Sequence, residues 1–286
     1  MFRPATPRTA TRPAATRPAV LRAAATLAVA ALVLTGCATD REPLELVPVP
    51  DASAPPSASP SPSPTPSPTP SPTPEPTPDE PAFDGDAFSL DDPNSIWVVS
   101  NKLRPLDPID FVPPDLTSAA VPFQANADLR AEAATALERM FAAATAEGVG
   151  ALQVQNAYRS FATQTSVHDR LVAQLGVEQA RAQSARPGYS EHQTGLSADI
   201  MAASGVCSIQ ACFADTPEGA WLAQNAWRFG FHLRYPADKR AVTGYVFEPW
   251  HYRYVGVDLA TEMRDTRVTT LEEFFGLPAA PDYAPE

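Results

Sequence analysis

Basic residues are scarce in this chain, which carries 21 lysines and arginines against 33 acidic residues and a formal charge of −12. Five of the cations (Arg3, Arg8, Arg12, Arg17, Arg22) fall within the first 36 residues, where there is no acid, so the remainder is more acidic still. Such a surface excludes nucleic-acid binding, which leans on clustered cations to neutralise phosphates. Nucleophile signatures are also missing. There is no Ser-x-x-Lys and no Gly-x-Ser-x-Gly elbow, so serine-peptidase chemistry has no anchor. No phosphate loop, dinucleotide fingerprint or internal repeat is present. Histidine and cysteine are rare, with four and three copies in 286 residues. The longest apolar run, Ala23–Leu34, is too short to span a bilayer as a mature helix and has signal-peptide proportions.

That run ends in Leu34-Thr35-Gly36-Cys37, which resembles the bacterial lipobox. Residues 1–36 are therefore expected to be a lipoprotein signal peptide, with Cys37 acylated as the first mature residue. Acyl chains on one residue give durable anchoring, at about 0.8 kcal/mol per buried methylene. The product would sit at the outer face of the cell membrane and reach into the wall. Cys207 and Cys212, with four residues between them, then read as a small disulfide loop in an exported protein.

Prolines, 33 in all, concentrate in Ser-Pro and Thr-Pro dipeptides from Asp51 to Pro81. Proline at every second position forbids helix and ladder and favours extended polyproline II, so residues 37–92 are expected to form a spacer outside the fold. The folded part should begin near Pro93, with the proline-rich stretch 96–114 wrapping the surface. Leu129, Ala133, Leu137, Met140, Phe141 and Ala144 recur with helical period and predict a helix over 126–146, capped by Asn126 and stopped by Gly148. Residues 152–155 read as a strand, 161–175 and 177–185 as helices, and 196–202 as a buried strand. Thr216-Pro217 opens a helix that should bury Trp221, Leu222 and Trp227 and end at Gly230. Strands are expected at 231–235 and 245–254, the second broken at Pro249. The order indicates an α+β fold, a small antiparallel sheet with helices packed around it.

Two of the histidines lie in segments dense with glycine, proline and acids. His192 and Asp199 are separated by a turn at Gly195, and His251 lies three residues after Glu248. A loop turning at Gly195 into a strand can bring both side chains to one point. Two imidazoles and one carboxylate with an open fourth position suit a catalytic rather than a structural zinc. Glu248 is the nearest carboxylate that could serve as general base. Histidines among acids are equally compatible with packed core or surface, and residue types alone leave that open. His232, in an apolar strand, reads as a packed core histidine, and His168, beside Asp169 and Arg170, as exposed. Trp250 and Tyr252 read as packing against His251.

The stretches Ser190-x-His192-x-x-Gly195-x-x-x-Asp199 and Glu248-x-Trp250-His251-Tyr252 resemble D-alanyl-D-alanine carboxypeptidases of the VanY type, in the superfamily that includes the D,D-dipeptidases. Tyr158-Arg159-Ser160 followed by Gln164, Phe229-Gly230-Phe231, Arg234-Tyr235-Pro236 and Thr243-Gly244-Tyr245 extend the likeness over about residues 96–257. The resemblance implies one zinc ion per chain, held by His192, Asp199 and His251 in a cleft on the sheet, with Glu248 as base. It implies that Arg159 polarises the scissile carbonyl or pairs with a substrate carboxylate, and that Gln164 and Ser190 hydrogen-bond the terminal D-residue. The expected domain covers residues 93–260, followed by a C-terminal extension, 261–286. The expected activity is removal of the terminal D-alanine from peptidoglycan stem peptides by a monomer. L,D-carboxypeptidase, D,D-dipeptidase and a non-catalytic zinc-stabilised wall-binding module are the alternatives.

Overall fold

The helical stripe read from the sequence does form a helix. In the structure, a computed structural model that describes residues 83–285, Ala133, Ala134, Leu137, Met140, Phe141 and Ala144 make the buried face of α1 (Ala131–Ala146). The helix starts later than expected because residues before it are already paired. A hairpin, β1 (Leu116–Ser118) with β2 (Asp128–Arg130), takes up its first turn. Asn126 caps nothing: its Oδ1 accepts from the Asp128 amide and its Nδ2 donates to Asn156 and to the Tyr158 carbonyl. A short polar side chain that finds local backbone partners favours a turn over a helix interior.

The central sheet is antiparallel with the order β3-β4-β6-β5, comprising β3 (Leu152–Asn156), β4 (Ser197–Ala202), β5 (Phe231–Leu233) and β6 (His251–Tyr254). Between β3 and β4 come α2 (Phe161–Leu175), capped by the Ser160 side chain, and α3 (Val177–Gln183). The expected strand over 245–254 shrinks to its last four residues. Glu248 to His251 is a turn closed by the His251 amide on the Glu248 carbonyl, and Pro249 within it has no N–H to give a ladder. The helix opened by Thr216 is α4 (Pro217–Asn225), extended by a 3₁₀ turn, Ala226–Phe229, up to Gly230. Trp221 and Leu222 are buried as expected, while Trp227 is only half-buried. After β5 comes α5 (Arg240–Thr243), and after β6 come α6 (Val257–Thr266) and α7 (Leu271–Phe274). The class is α+β, as expected.

Two expectations about the edges of the domain need correction. Residues 96–114 do not merely wrap the surface, for Trp97, Val98 and Val99 are buried and the Trp97 indole donates to the Val255 carbonyl at 2.8 Å. Phe83 stacks on Trp97 with centroids 5.6 Å apart, so the folded body already includes residue 83. Residues 261–285 are no appendage either: Met263, Leu271, Glu272 and Ala280 are buried in the same body. The first 82 residues, which carry the expected signal peptide, Cys37 and most of the spacer, lie outside the described residues. Among the described residues no helix is long and apolar enough to cross a membrane.

Candidate metal centre and cleft

Sheet register assembles the centre. In the antiparallel pairing of β4 with β6, Asp199 stands directly opposite His251, so both side chains point to one face. His192 arrives from the other direction, on a 3₁₀ turn, Glu191–Thr194, that ends at Gly195 with φ +67°. The positive φ favours glycine, and a Cβ there would lie 2.9 Å from Leu116 Cδ2, a methyl group that would have to move aside.

The ring nitrogens are assigned by their neighbours. His192 Nδ1 lies 2.6 Å from the Ala157 carbonyl oxygen, which can only accept, so Nδ1 carries the proton. That leaves Nε2 bare, 3.3 Å from Asp199 Oδ2. His251 turns its Nδ1 inward, 3.3 Å from Asp199 Oδ1 and 3.8 Å from Glu248 Oε2. The two rings meet edge to face at 4.8 Å. One donor atom from each of His192, Asp199 and His251 falls within 4.8 Å of the others, and all three residues are buried.

These residues fit a cation. Asp199 Oδ1 is buried without a hydrogen-bond partner. Burial works against charge on His251, but Asp199 and Glu191 beside it outweigh that and push its pKa up to about 9. The pocket thus draws a positive charge to the ring edge that faces Asp199. Burial also raises Asp199, yet His192 and His251 hold it well below the ordinary carboxylate range, so it stays anionic. Burial lowers the pKa of His192, with Arg159 adding to the effect, which keeps that imidazole neutral and available as a ligand. Two imidazole nitrogens and a carboxylate oxygen make the donor set of a catalytic zinc.

A cleft of about 410 Å³ opens over this set, lined by Arg159, Gln164, Ser190, Tyr235, Glu248 and Trp250 among others. Glu248 is buried, and that burial pushes its pKa up to about 8. Arg159 follows β3; its amide donates to the His192 carbonyl at 3.1 Å, which ties it to the metal turn. Its side-chain Nε is buried with no partner among the described residues. Ser190 is buried and lines the cleft. Gln164 is less free than expected, because its Nε2 already donates to Ser184 Oγ and to the Ala185 carbonyl at 2.6 Å. Only Oε1, buried and unpartnered, remains for a ligand. His168 is half-buried and packs beside Asp169 at 3.8 Å, rather than standing exposed. His232 is half-buried on β5, its pKa pushed down to about 4 by burial, and is no part of the metal set. Cys207 and Cys212 form the expected disulfide. Its loop presents Ile209 to the cleft.

Sequence reasoning missed the charged layer beneath the centre. Glu191, Arg234, Arg253 and Glu272 are all buried. Arg234 Nε donates to Glu191 Oε1 at 2.8 Å, and Arg253 Nη1 donates to the same oxygen at 3.1 Å. The Arg234 fork grips Glu272 with bonds of 2.9 and 2.7 Å, and Asn101 donates to Glu272 at 2.9 Å. Both arginines lie in or beside motif blocks already noted, but a charge between apolar residues reads the same whether it is solvated or paired.

The sequence model described as VanY, D-alanyl-D-alanine carboxypeptidase, matches residues 126–257. YodJ of Bacillus subtilis (strain 168) is 38% identical over 191 residues, 65% of this chain and 69% of its own length. The chain belongs to the VanY family of D-alanyl-D-alanine carboxypeptidases. The solved structure of the LdcB LD-carboxypeptidase is similar with a TM-score of 0.60 and 39% identity, over 64% of this chain and 87% of that one. The vancomycin resistance D,D-pentapeptidase VanY, crystallised as a mutant with Zn(II), is similar with a TM-score of 0.51 and 32% identity, over 62% of this chain and 97% of that one. The VanY-matched stretch contains the whole metal set together with Arg159 and Glu248, but neither Asn101 nor Glu272.

Proposed function

We propose that this chain is a zinc D,D-carboxypeptidase that removes the terminal D-alanine from peptidoglycan stem peptides. The observation that carries the reading is the placement of the Glu248 carboxylate, 3.8 Å from His251 Nδ1, at the edge of a three-residue metal set inside a cleft that also holds a half-buried arginine whose Nε has no partner among the described residues. His192, Asp199 and His251 would hold one zinc ion, which when bound polarises a carbonyl oxygen as a Lewis acid and acidifies water.

Glu248 takes a proton from the attacking water and returns it to the leaving amine. A carboxylate raised by burial is a better proton acceptor than an ordinary one, and a dication nearby draws its pKa back towards neutrality, where a group that both gains and yields a proton works best. Arg159 presents a fixed planar fork to the peptide, suited to the terminal carboxylate or to developing charge on the scissile carbonyl. Ser190 and Gln164 Oε1 border the same volume and orient the terminal residue through hydrogen bonds.

A second reading, L,D-carboxypeptidase with the same residues, is supported by the higher TM-score to the LdcB LD-carboxypeptidase. Mass spectrometry of purified pentapeptide and tetrapeptide muropeptides, incubated with and without a chelator, separates the two. Loss of one alanine from pentapeptide alone, abolished by chelation, is the expected result. Loss from tetrapeptide alone would establish the L,D reading, and chelator-insensitive cleavage would overturn the metal mechanism. Cys37 as a lipid anchor and the proline-rich spacer belong to the same proposal: they would hold a monomeric enzyme outside the membrane within reach of wall peptides. Metabolic labelling with a palmitate analogue, lost in Cys37→Ala, tests that part.

A further inference from the structure

The proposed chemistry leaves Glu191 without a part, although its Oε2 lies 3.5 Å from His251 Nε2, a buried nitrogen that makes no hydrogen bond with any described residue. An imidazole can offer one nitrogen to a metal only if its proton sits on the other. For His192 the Ala157 carbonyl fixes that choice at Nδ1. His251 needs the opposite choice, since its Nδ1 is the nitrogen that faces Asp199 and Glu248. The carboxylate at its far edge is Glu191.

That carboxylate is not free to turn. Its Oε1 is held by Arg234 and Arg253, and Ser197 Oγ donates to Oε2 at 3.4 Å. The guanidinium of Arg253 is pinned in turn by the Ile96 and Val98 carbonyls. Arg234 is gripped by Glu272 of α7, and α7 is capped by the Thr270 side chain. Four charges with fully buried side chains are a poor way to gain stability, because desolvating them offsets most of their attraction, and apolar residues of similar volume often do as well. Their use directly behind a ligand imidazole has another explanation.

We propose that Glu191 is a positioning residue for the metal centre: its carboxylate accepts the Nε2 proton of His251 and so presents Nδ1 to the metal, while Glu272, outside the family-matched stretch, holds Glu191 in place through Arg234. The inference rests on the zinc reading above. It gives the C-terminal residues a part in the centre that the family match does not reach.

The test compares zinc affinity, by chelator competition, in the full chain and in Glu191→Gln and Glu272→Gln, with circular dichroism to establish folding. Histidine ¹⁵N spectra of the zinc-loaded chain report which nitrogen of His251 is protonated. Losing such an outer partner lowers metal affinity by about 10–100-fold. That fall is expected for Glu191→Gln, with a smaller one for Glu272→Gln and with wild-type His251 protonated at Nε2. Unchanged affinity in a folded Glu191→Gln overturns the proposal, as does a wild-type His251 protonated at Nδ1. If Glu191→Gln does not fold, the wild-type spectrum decides. A wild-type chain that takes up no zinc removes the proposed function itself, whereas normal uptake with an insensitive Glu191→Gln removes only this inference.

Discussion

Single side chains divide the labour at this site, and their substitutions should separate accordingly. Glu248 faces the metal set from its edge and is not needed to hold a cation, since His192, Asp199 and His251 already converge. Glu248→Gln should therefore keep zinc stoichiometry while kcat falls by about 10²–10⁴, the range of general acid–base catalysis; metal analysis beside steady-state kinetics checks this. Arg159 lines the same cleft, with an Nε that no other described residue engages. Arg159→Lys keeps the charge but loses the planar fork, so kcat/KM should drop by at least about tenfold with zinc content unchanged. At this scale the sequence was informative where chemistry and spacing coincide: the two histidines, Asp199 and Glu248 stood out among rare residues. Glu191 and Arg253 did not, although each neighbours a ligand or lies two positions from one. Nothing in a residue's identity tells that its charge is met by another some 40 or 60 positions away.

Among the elements, short turns carry more of the site than helices do. Gly195 sits at φ +67° with Leu116, Pro113 and Arg130 packed against it. Gly195→Ala should cost about 1–2 kcal/mol for the left-handed conformation, with the Leu116 side chain displaced by the new methyl group. A lowered Tm together with weakened zinc binding, measured by calorimetry with and without metal, is the expected outcome. The loop closed by Cys207 and Cys212 holds Cys207 at φ +55° and Ile209 at +52°, and such backbone is rare for a β-branched residue. Strain of that kind persists only where surrounding structure over-determines it. Cys207→Ser with Cys212→Ser should release Ile209 from the cleft, raising KM with little change in kcat. The helix α4 was legible because Thr216 caps it with Pro217 at its first position. The β1–β2 hairpin was not, since it replaced the first turn of a stripe whose period looked helical throughout. The strand expected at 245–250 was lost for a similar reason: its apolar and aromatic residues pack as a turn around Pro249.

For the described body as a whole, segments from near its two ends meet where Asn101 and Arg234 both bind Glu272. Burial raises the pKa of Glu272, but Arg234 and its hydrogen bonds more than offset this and leave it below the ordinary value. A group depressed on folding contributes stability above its unfolded pKa, about 4.3 for glutamate, and loses that contribution as pH falls through the folded value. Acid unfolding of the metal-free chain should therefore be shallower in Glu272→Gln than in wild type below about pH 4.3, as followed by circular dichroism. The pairing of Asp199 with His251 has a kinetic meaning as well. The two residues are 52 positions apart, and only the docking of β6 on β4 in the correct register makes them neighbours. Zinc can find its complete set only after this long-range step, so it should leave the refolding rate nearly unchanged and slow the reverse reaction. Metal uptake followed in real time would then act as a clock for closure of the sheet.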